Sequence, residues 1–129
     1  MTTRAVYSRV AVELDLDTLA EARRVTAAVL RALRDRLTAD EADQAAAQLP
    51  RELKALWHGG PPAPPRPLKM HRQEFYERVK ADAALPGLRT AAMATDAVFA
   101  ALKDHISEGE CNDIVAQLPR DLKSVWTHA

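Results

Sequence analysis

The sequence predicts an all-α protein of two tandem four-helix repeats, which form a helical bundle and are joined by a proline-rich linker. The segment 1–57 aligns with the segment 70–126 without a gap, and the two copies share 22 identities. Self-similarity of this extent indicates a tandem duplication. In both copies the apolar residues recur at the spacing of amphipathic helices. A Gly/Pro-rich stretch separates the copies, so we expect repeat 1 at 1–57, a linker at 58–69 and repeat 2 at 70–129.

The size and charge of the chain limit its architecture and its partners. One repeat alone, such as 1–57, is close to the size at which a hydrophobic core is marginal, so we expect the two repeats to share one core. The chain has 18 Lys and Arg residues and 18 Asp and Glu residues, and each half is balanced separately. This neutrality argues against a general nucleic-acid binder, which needs an excess of positive charge.

Cysteine content and hydropathy indicate the compartment. Cys111 is the single cysteine, which excludes an intrachain disulfide and fits a reducing cytosol. The N-terminal stretch lacks the apolar core of a signal peptide. The chain also lacks a run of about 18 apolar residues, so we expect no membrane span. These features favour a cytoplasmic location.

The first element of each repeat is predicted to be a helix. In repeat 1, Val6, Val10 and Leu14 recur at every fourth position, although the alternation near them would also suit a strand. The counterpart in repeat 2, the segment 74–80, mixes apolar and charged residues as an amphipathic helix does. The duplication therefore favours a helix in both copies.

The second element of each repeat is predicted to be the longest helix. In repeat 1 it runs from about position 18 to position 37, with Asp17 or Thr18 as its N-cap. Buried threonines in helices often bond the carbonyl one turn back, and we expect this of the threonine in its apolar stripe and of the one in the equivalent stripe of repeat 2. The two stripes are Ala22, Thr26, Val29, Leu33 and Leu37, and Ala91, Thr95, Val98, Leu102 and Ile106.

A capping box begins the third helix of each repeat. Thr38 is followed at the third position after it by Glu41, and Ser107 is followed in the same way by Glu110. In a capping box the hydroxyl accepts from a free N–H of the first turn, and the Glu reaches back to the N–H of the cap residue. We expect both bonds in both copies.

The fourth helix of each repeat is predicted to be short and to begin at a proline. Pro50 and Pro119 fix φ and lack an N–H, which suits the first position of a helix and ends the helix before it. One face of each helix ends in a tryptophan, Trp57 or Trp126. We expect both tryptophans to be largely buried.

The segment between the repeats, from His58 to Pro67, has glycines that stop a helix and prolines that favour an extended conformation. It is interpreted as a stiff connector rather than as a ligand for a proline-binding domain.

The helix at 28–37, the capping turn and the Ala47-Gln48-Leu49-Pro50 corner resemble the bacterial and archaeal domain-of-unknown-function family 2267. The second copy, at 106–119, fits the same pattern. The resemblance implies an all-α protein of repeated helices, and it supplies no established activity or catalytic residue. Members of the family often carry a Gly/Trp-rich stretch after the first copy, where this chain has the linker.

No catalytic site, metal site or cofactor is predicted. The four histidines, His58, His71, His105 and His128, occupy unrelated positions of the repeat, and none stands at metal-ligand spacing from another His or Cys. Cys111 corresponds to an alanine of repeat 1 and is interpreted as a small, partly buried side chain.

The best candidates for a binding site lie in and before the fourth helices. An Arg and a Lys spaced by nearly one turn share the outer face of that helix, and in one interpretation the two equivalent basic faces recognise carboxylate or phosphate groups. In the alternative interpretation, each Gln bonds the backbone at the corner between the third and fourth helices, and the cations pair with Glu52 or Asp121. The candidates are Gln48, Arg51, Lys54, Gln117, Arg120 and Lys123.

The two copies of the second helix differ on one face. Three positions that hold arginine in repeat 1 hold small or apolar residues in repeat 2. We expect the arginines to face water and the apolar residues to be covered by the other repeat or by a partner. The two sets are Arg23, Arg24 and Arg31, and Ala92, Met93 and Ala100.

These observations favour a soluble, non-catalytic interaction module, or a stress-associated one, that binds a protein partner or itself. The alternative is a nucleic-acid or ribosome-associated binder that uses the basic faces of the second and fourth helices. Salt dependence separates the two classes, because binding to phosphates weakens steeply as the salt concentration rises.

Overall fold

The computed structural model describes residues 2–129, in which there are eight α-helices and no strand. The predicted all-α fold is therefore confirmed. No helix within these residues is long and apolar enough to cross a membrane. The helices are α1 Thr3–Leu14, α2 Leu19–Arg36, α3 Ala39–Ala47, α4 Arg51–His58, α5 Arg72–Ala83, α6 Leu88–His105, α7 Glu108–Ala116 and α8 Arg120–His128.

Local signals account for these bounds. Helices α5, α6 and α7 begin and end at the positions that the alignment of the copies makes equivalent to the ends of α1, α2 and α3, and α8 begins at the position equivalent to the start of α4. Thr38 and Ser107 accept from the N–H groups of Glu41 and Glu110, which confirms the hydroxyl half of both capping boxes. Pro50 has φ −57° and ψ 154°, so it stands just before α4 rather than at its first helical position.

Each first helix packs against the long helices of both halves of the chain. Helix α1 packs against α2 and also against α6, and α5 packs in the same way against α6 and α2. The central helices α2 and α6 touch each other, and α3 meets α7. Swapping the two halves leaves this arrangement nearly unchanged. One cluster of buried residues, drawn from all eight helices, forms the core.

The long helices α2 and α6 are buried on several faces. The hydroxyls of Thr26 and Thr95 donate to the carbonyls of Ala22 and Ala91 at 2.7 Å and 2.8 Å, as predicted. This bond satisfies a polar group where water is excluded.

The two tryptophans are buried in the core. Trp57 and Trp126 are buried on α4 and α8, which pack against α2 and α6. The ring of Trp126 lies 5.0 Å from that of Phe99, measured between centroids, and Phe75 follows at 5.8 Å from Phe99. These contacts bring aromatic rings of α5, α6 and α8 together in one part of the core.

We expect Trp57→Ala and Trp126→Ala each to lower the free energy of unfolding by about 3–5 kcal/mol, because each leaves a large cavity in the core. Urea titrations followed by circular dichroism measure the loss. Val12→Ala is the control, since Val12 is 80% exposed and its truncation should change stability by about 0.5 kcal/mol or less. Unchanged midpoints in both Trp variants would contradict the expectation.

Candidate functional site

The two glutamines predicted as site residues reach across to the other repeat. Gln117 Oε1 accepts from the N–H of Thr38 at 2.8 Å, and its Nε2 donates to Thr38 Oγ1 at 3.1 Å. Gln48 makes the equivalent bonds to Ser107. Its Oε1 accepts from the N–H of Ser107 at 2.8 Å, and its Nε2 donates to Ser107 Oγ at 3.2 Å. Each glutamine thus completes the N-cap of the third helix in the opposite half.

These hydrogen bonds between the repeats correct two expectations. Each glutamine bonds backbone and hydroxyl at the opposite N-cap, not at the corner of its own repeat. The cap N–H groups that Glu41 and Glu110 were expected to reach are therefore already taken. Neither carboxylate bonds the N–H of its own cap residue, and the two carboxylates lie close to each other.

Glu41 and Glu110 form a buried acid pair where α3 meets α7. Their side chains are buried, with 5% and 9% of each residue exposed. Glu41 Oε2 and Glu110 Oε1 have no hydrogen-bond partner within residues 2–129. Burial, followed by the nearby Glu110 and the charge of Asp113, raises the pKa of Glu41 to about 8. Near neutral pH, this raised pKa favours the protonated form of Glu41.

Asp113 adds a third carboxylate beside this pair. Acceptor oxygens of Glu41, Glu110 and Asp113 lie within 4.8 Å of one another, a grouping that is also compatible with a hard cation. A groove of about 350 Å³ opens beside it, lined in part by Gln44, which occupies the position equivalent to Asp113. The third carboxylate thus has no counterpart in repeat 1.

The helix-four cations lie at the surface. Arg51, Arg120 and Lys123 are exposed, and Lys54 is half-buried. None of the four forms an ion pair with a carboxylate in the described part of the chain. The structure therefore does not bring them together with the glutamines, which serve the N-caps.

The acids of the fourth helices bond to the first helices instead of pairing with these cations. The hydroxyl of Tyr7 donates to Glu52 Oε1 at 3.3 Å, and Asp121 accepts from the N–H of Arg72 at 3.0 Å. Burial, followed by the charge of Glu52, raises the pKa of Tyr7 to about 12, so the phenol remains a donor. This corrects the expectation of local ion pairs on α4 and α8.

Two equivalent grooves lie at these contacts, and sequence reasoning missed them. The first is about 510 Å³ and is lined by Tyr7, Leu19 and Glu52, together with two arginines. The second is about 500 Å³ and is lined by Tyr76, Leu88 and Asp121, together with His71 and Arg72. Each leucine is the first residue of a long helix and remains exposed, Leu19 at 55% and Leu88 at 39%. We call these the Tyr–Leu grooves.

On α6, the residues predicted as an interface are covered unequally. Ala100 is buried, Ala92 is half-buried, and Met93 is 39% exposed. Packing within the chain therefore covers Ala100 and leaves Met93 at the surface.

On α2, two of the three equivalent arginines face water as expected. Arg23 and Arg24 are exposed, but Arg31 is half-buried and its Nε donates to the carbonyl of Leu56 at 2.9 Å. The expectation was wrong for Arg31 because its guanidinium reaches the Leu56 carbonyl at the C-terminal end of α4, which also accepts from the N–H of Gly59.

Sequence reasoning also missed two equivalent salt bridges between the repeats. The buried Asp35 accepts from Arg34 at 2.7 Å and is bridged by Arg78 of α5. At the equivalent position, Arg9 of α1 pairs with Asp104 of α6 at 3.1 Å. The signal was present, since both Arg and both Asp are identical in the alignment of the two copies.

Cys111 is partly buried, as expected, and its Sγ lies 3.7 Å from the carbonyl oxygen of Ile106. Burial raises the pKa of its thiol above the ordinary value, which keeps it protonated rather than nucleophilic.

Comparison with known families gives one match. A family model described as "Uncharacterized conserved protein (DUF2267)" matches residues 3–125. Among curated proteins, none matches the chain.

The acid pair predicts a pH dependence of stability. The pKa of Glu41 is raised on folding, so its contribution is fully present below its unfolded pKa and is lost as pH rises through about 8. The free energy of unfolding should therefore fall as the pH rises from about 5 to about 8. In Glu41→Gln it should fall less, and at pH 9 the variant should be more stable than the wild type by about 1–3 kcal/mol, because it removes a buried charge.

Urea midpoints at several pH values measure this difference. Asp43→Asn is the matched control, because Asp43 is exposed on the same helix. Parallel pH profiles for the wild type and Glu41→Gln would show that the pair does not take up a proton.

Proposed function

The chain belongs to the DUF2267 family, and we propose that it is a non-catalytic, cytoplasmic interaction module that binds a protein partner through its two Tyr–Leu grooves. The observation that carries the proposal is the exposed leucine at each of the two equivalent grooves.

Each groove has the composition of a recognition surface. An exposed leucine stands next to a tyrosine whose hydroxyl end is polar, and an acid of the fourth helix completes the wall. Protein-binding sites typically combine an apolar anchor with a few fixed polar groups. The Tyr7–Glu52 hydrogen bond fixes such a group in advance in the first groove.

Duplication of the groove has a consequence for affinity. A partner that engages both grooves binds the second one intramolecularly, so its avidity exceeds the affinity of either groove alone. The grooves differ in their flanking side chains, which include Arg4 and Arg23 in one and His71 and Arg72 in the other. This difference suits a partner with two related but unequal segments.

The rival proposal is recognition of nucleic acid by the basic residues at the surface. The supporting observation is that Arg51, Arg120 and Lys123 are exposed without ion pairs among residues 2–129. Binding of this kind would weaken steeply with salt and would be lost after nuclease treatment. The overall charge balance of the chain favours the protein partner.

Leu19→Ser combined with Leu88→Ser tests the grooves. Because both leucines are exposed, the double variant should stay folded with nearly unchanged stability. Proteins retained by the immobilised wild type from a cell extract, after nuclease treatment and at low and high salt, should be reduced about tenfold or more by the double variant. Leu68→Ser is the control, since Leu68 is 41% exposed in the linker, outside both grooves.

Retention that survives the double variant would contradict binding in the grooves. Retention that disappears on nuclease treatment or at high salt would favour nucleic acid instead.

Self-association through α6 is tested separately with Met93→Arg. If a second copy covers Met93, the variant should remain folded and elute as a smaller species in size-exclusion chromatography, because a buried arginine without a partner opposes association. Equal elution of the wild type and the variant would exclude this contact.

A further inference from the structure

The linker closes a cavity over α2 and α5. The cavity has a volume of about 300 Å³, and its polar lining is made by Arg24, Arg31, Arg78 and Asp82, with Pro61 of the linker as one wall. We call it the linker cavity. It is distinct from the Tyr–Leu grooves and from the acid pair.

Two of its arginines are held in place by the backbone. Arg24 Nε donates to the carbonyl of Ala83 at 3.1 Å, and Arg31 Nε donates to the carbonyl of Leu56 at 2.9 Å. A guanidinium is planar and carries five N–H donors. Fixing the Nε therefore orients the Nη groups of both side chains, which are the groups that bind oxyanions in pairs.

The positive charge around the cavity is only partly neutralised. Arg78 pairs with Asp35 and Asp82, and the buried Arg34 pairs with Asp35 behind the cavity. Neither Arg24 nor Arg31 forms an ion pair with a carboxylate in residues 2–129. The four arginines and two aspartates thus leave an excess of two positive charges.

Burial and this excess of positive charge both affect the pKa of Arg31. Burial, followed by the charge of Arg34, lowers the pKa of Arg31. Removing water from a cation and placing another cation beside it are both unfavourable unless an anion compensates. An anion in the cavity would relieve both effects.

The linker is shaped around Arg31. A Cβ added at Gly59 would stand 2.7 Å from Arg31 Nη2, and at Gly60, where φ is +70°, it would stand 3.1 Å from the guanidinium. Only glycine allows this approach without displacing the arginine. Arg34 ties the same segment down by donating to the carbonyls of Trp57, Gly59 and Pro61 at 2.7–3.1 Å.

The other half of the chain lacks these features. Met93 and Ala100 occupy the positions equivalent to Arg24 and Arg31. The two arginines therefore occur only in the half that the linker covers.

We propose that the linker cavity binds a phosphate group, free or carried by a small molecule, between the guanidinium groups of Arg24 and Arg31. The cavity lies at the lower end of the size range of small-molecule sites. Asp82 at its wall offers an acceptor to a hydroxyl of an attached organic group. This inference does not depend on the proposed protein partner, because the two use different residues.

Isothermal titration calorimetry of the full chain tests the site with inorganic phosphate and with glycerol 3-phosphate. We expect saturable binding of at least one, weakened about tenfold or more in Arg24→Met and in Arg31→Ala. These substitutions place the residues of the equivalent positions in repeat 2 into repeat 1. Arg89→Ala is the control, because Arg89 is an exposed arginine of α6 that lines neither the cavity nor a Tyr–Leu groove.

The two ligands distinguish the sources of the phosphate. Tighter binding of glycerol 3-phosphate assigns the site to a phosphorylated small molecule, and equal binding assigns it to the phosphate group alone. Circular dichroism checks that each variant is folded. Should Arg31→Ala unfold, Arg24→Met decides the matter, because Arg24 is exposed.

The proposal is overturned if the wild type binds neither ligand at millimolar concentration, in which case the arginines only cap backbone carbonyls. It is equally overturned if Arg24→Met binds as tightly as Arg89→Ala, or if the chain binds an oligonucleotide but neither small phosphate.

Discussion

The packing of each first helix against the long helices of both halves is the arrangement on which the rest of the structure depends. A repeat of this size is close to the lower limit at which a hydrophobic core can stabilise a domain alone. Here α2 is completed by α5 and α6 by α1, so each long helix is enclosed by elements of both repeats. The bridges Arg78–Asp35 and Arg9–Asp104 lie across these same interfaces. A shared core follows, and neither half has a complete core of its own.

The packing of the two halves against each other also accounts for the bonds at the junction of α3 and α7. Once the halves interlock, Gln48 and Gln117 can reach the N-caps of the opposite third helices. Because the glutamines accept from the N–H groups of both cap residues, these N–H groups are not available to Glu41 and Glu110. The two carboxylates are instead buried close to each other. Burial and the neighbouring carboxylates raise the pKa of Glu41, so the junction favours a protonated carboxyl over two adjacent negative charges. The stability of this contact between the repeats is therefore expected to depend on pH.

The remaining features depend on where the two halves differ. The Tyr–Leu grooves occur twice, because Tyr7, Leu19 and Glu52 have close counterparts in repeat 2. The linker, in contrast, closes a cavity over α2 and α5, and the α2 arginines that line this cavity have no counterparts in α6. A duplicated surface suits a partner with two related segments, whereas a single charged cavity suits one small ligand. The interlocked core holds both on rigid helices.

The sequence by itself determined the elements whose causes are local. Apolar spacing, hydroxyl caps and prolines act within a short stretch of chain, and they predicted the eight helices, the first half of each capping box and the burial of Trp57 and Trp126. Only the tertiary structure decided which partner each polar side chain found. Gln117 bonds a residue 79 positions away, and Arg31 meets a carbonyl made available by the end of another helix. Local rules assigned Glu41 to its own cap, because they cannot see a competitor from the opposite repeat. Met93 remained exposed for a related reason, since the covering of a surface depends on which elements pack over it.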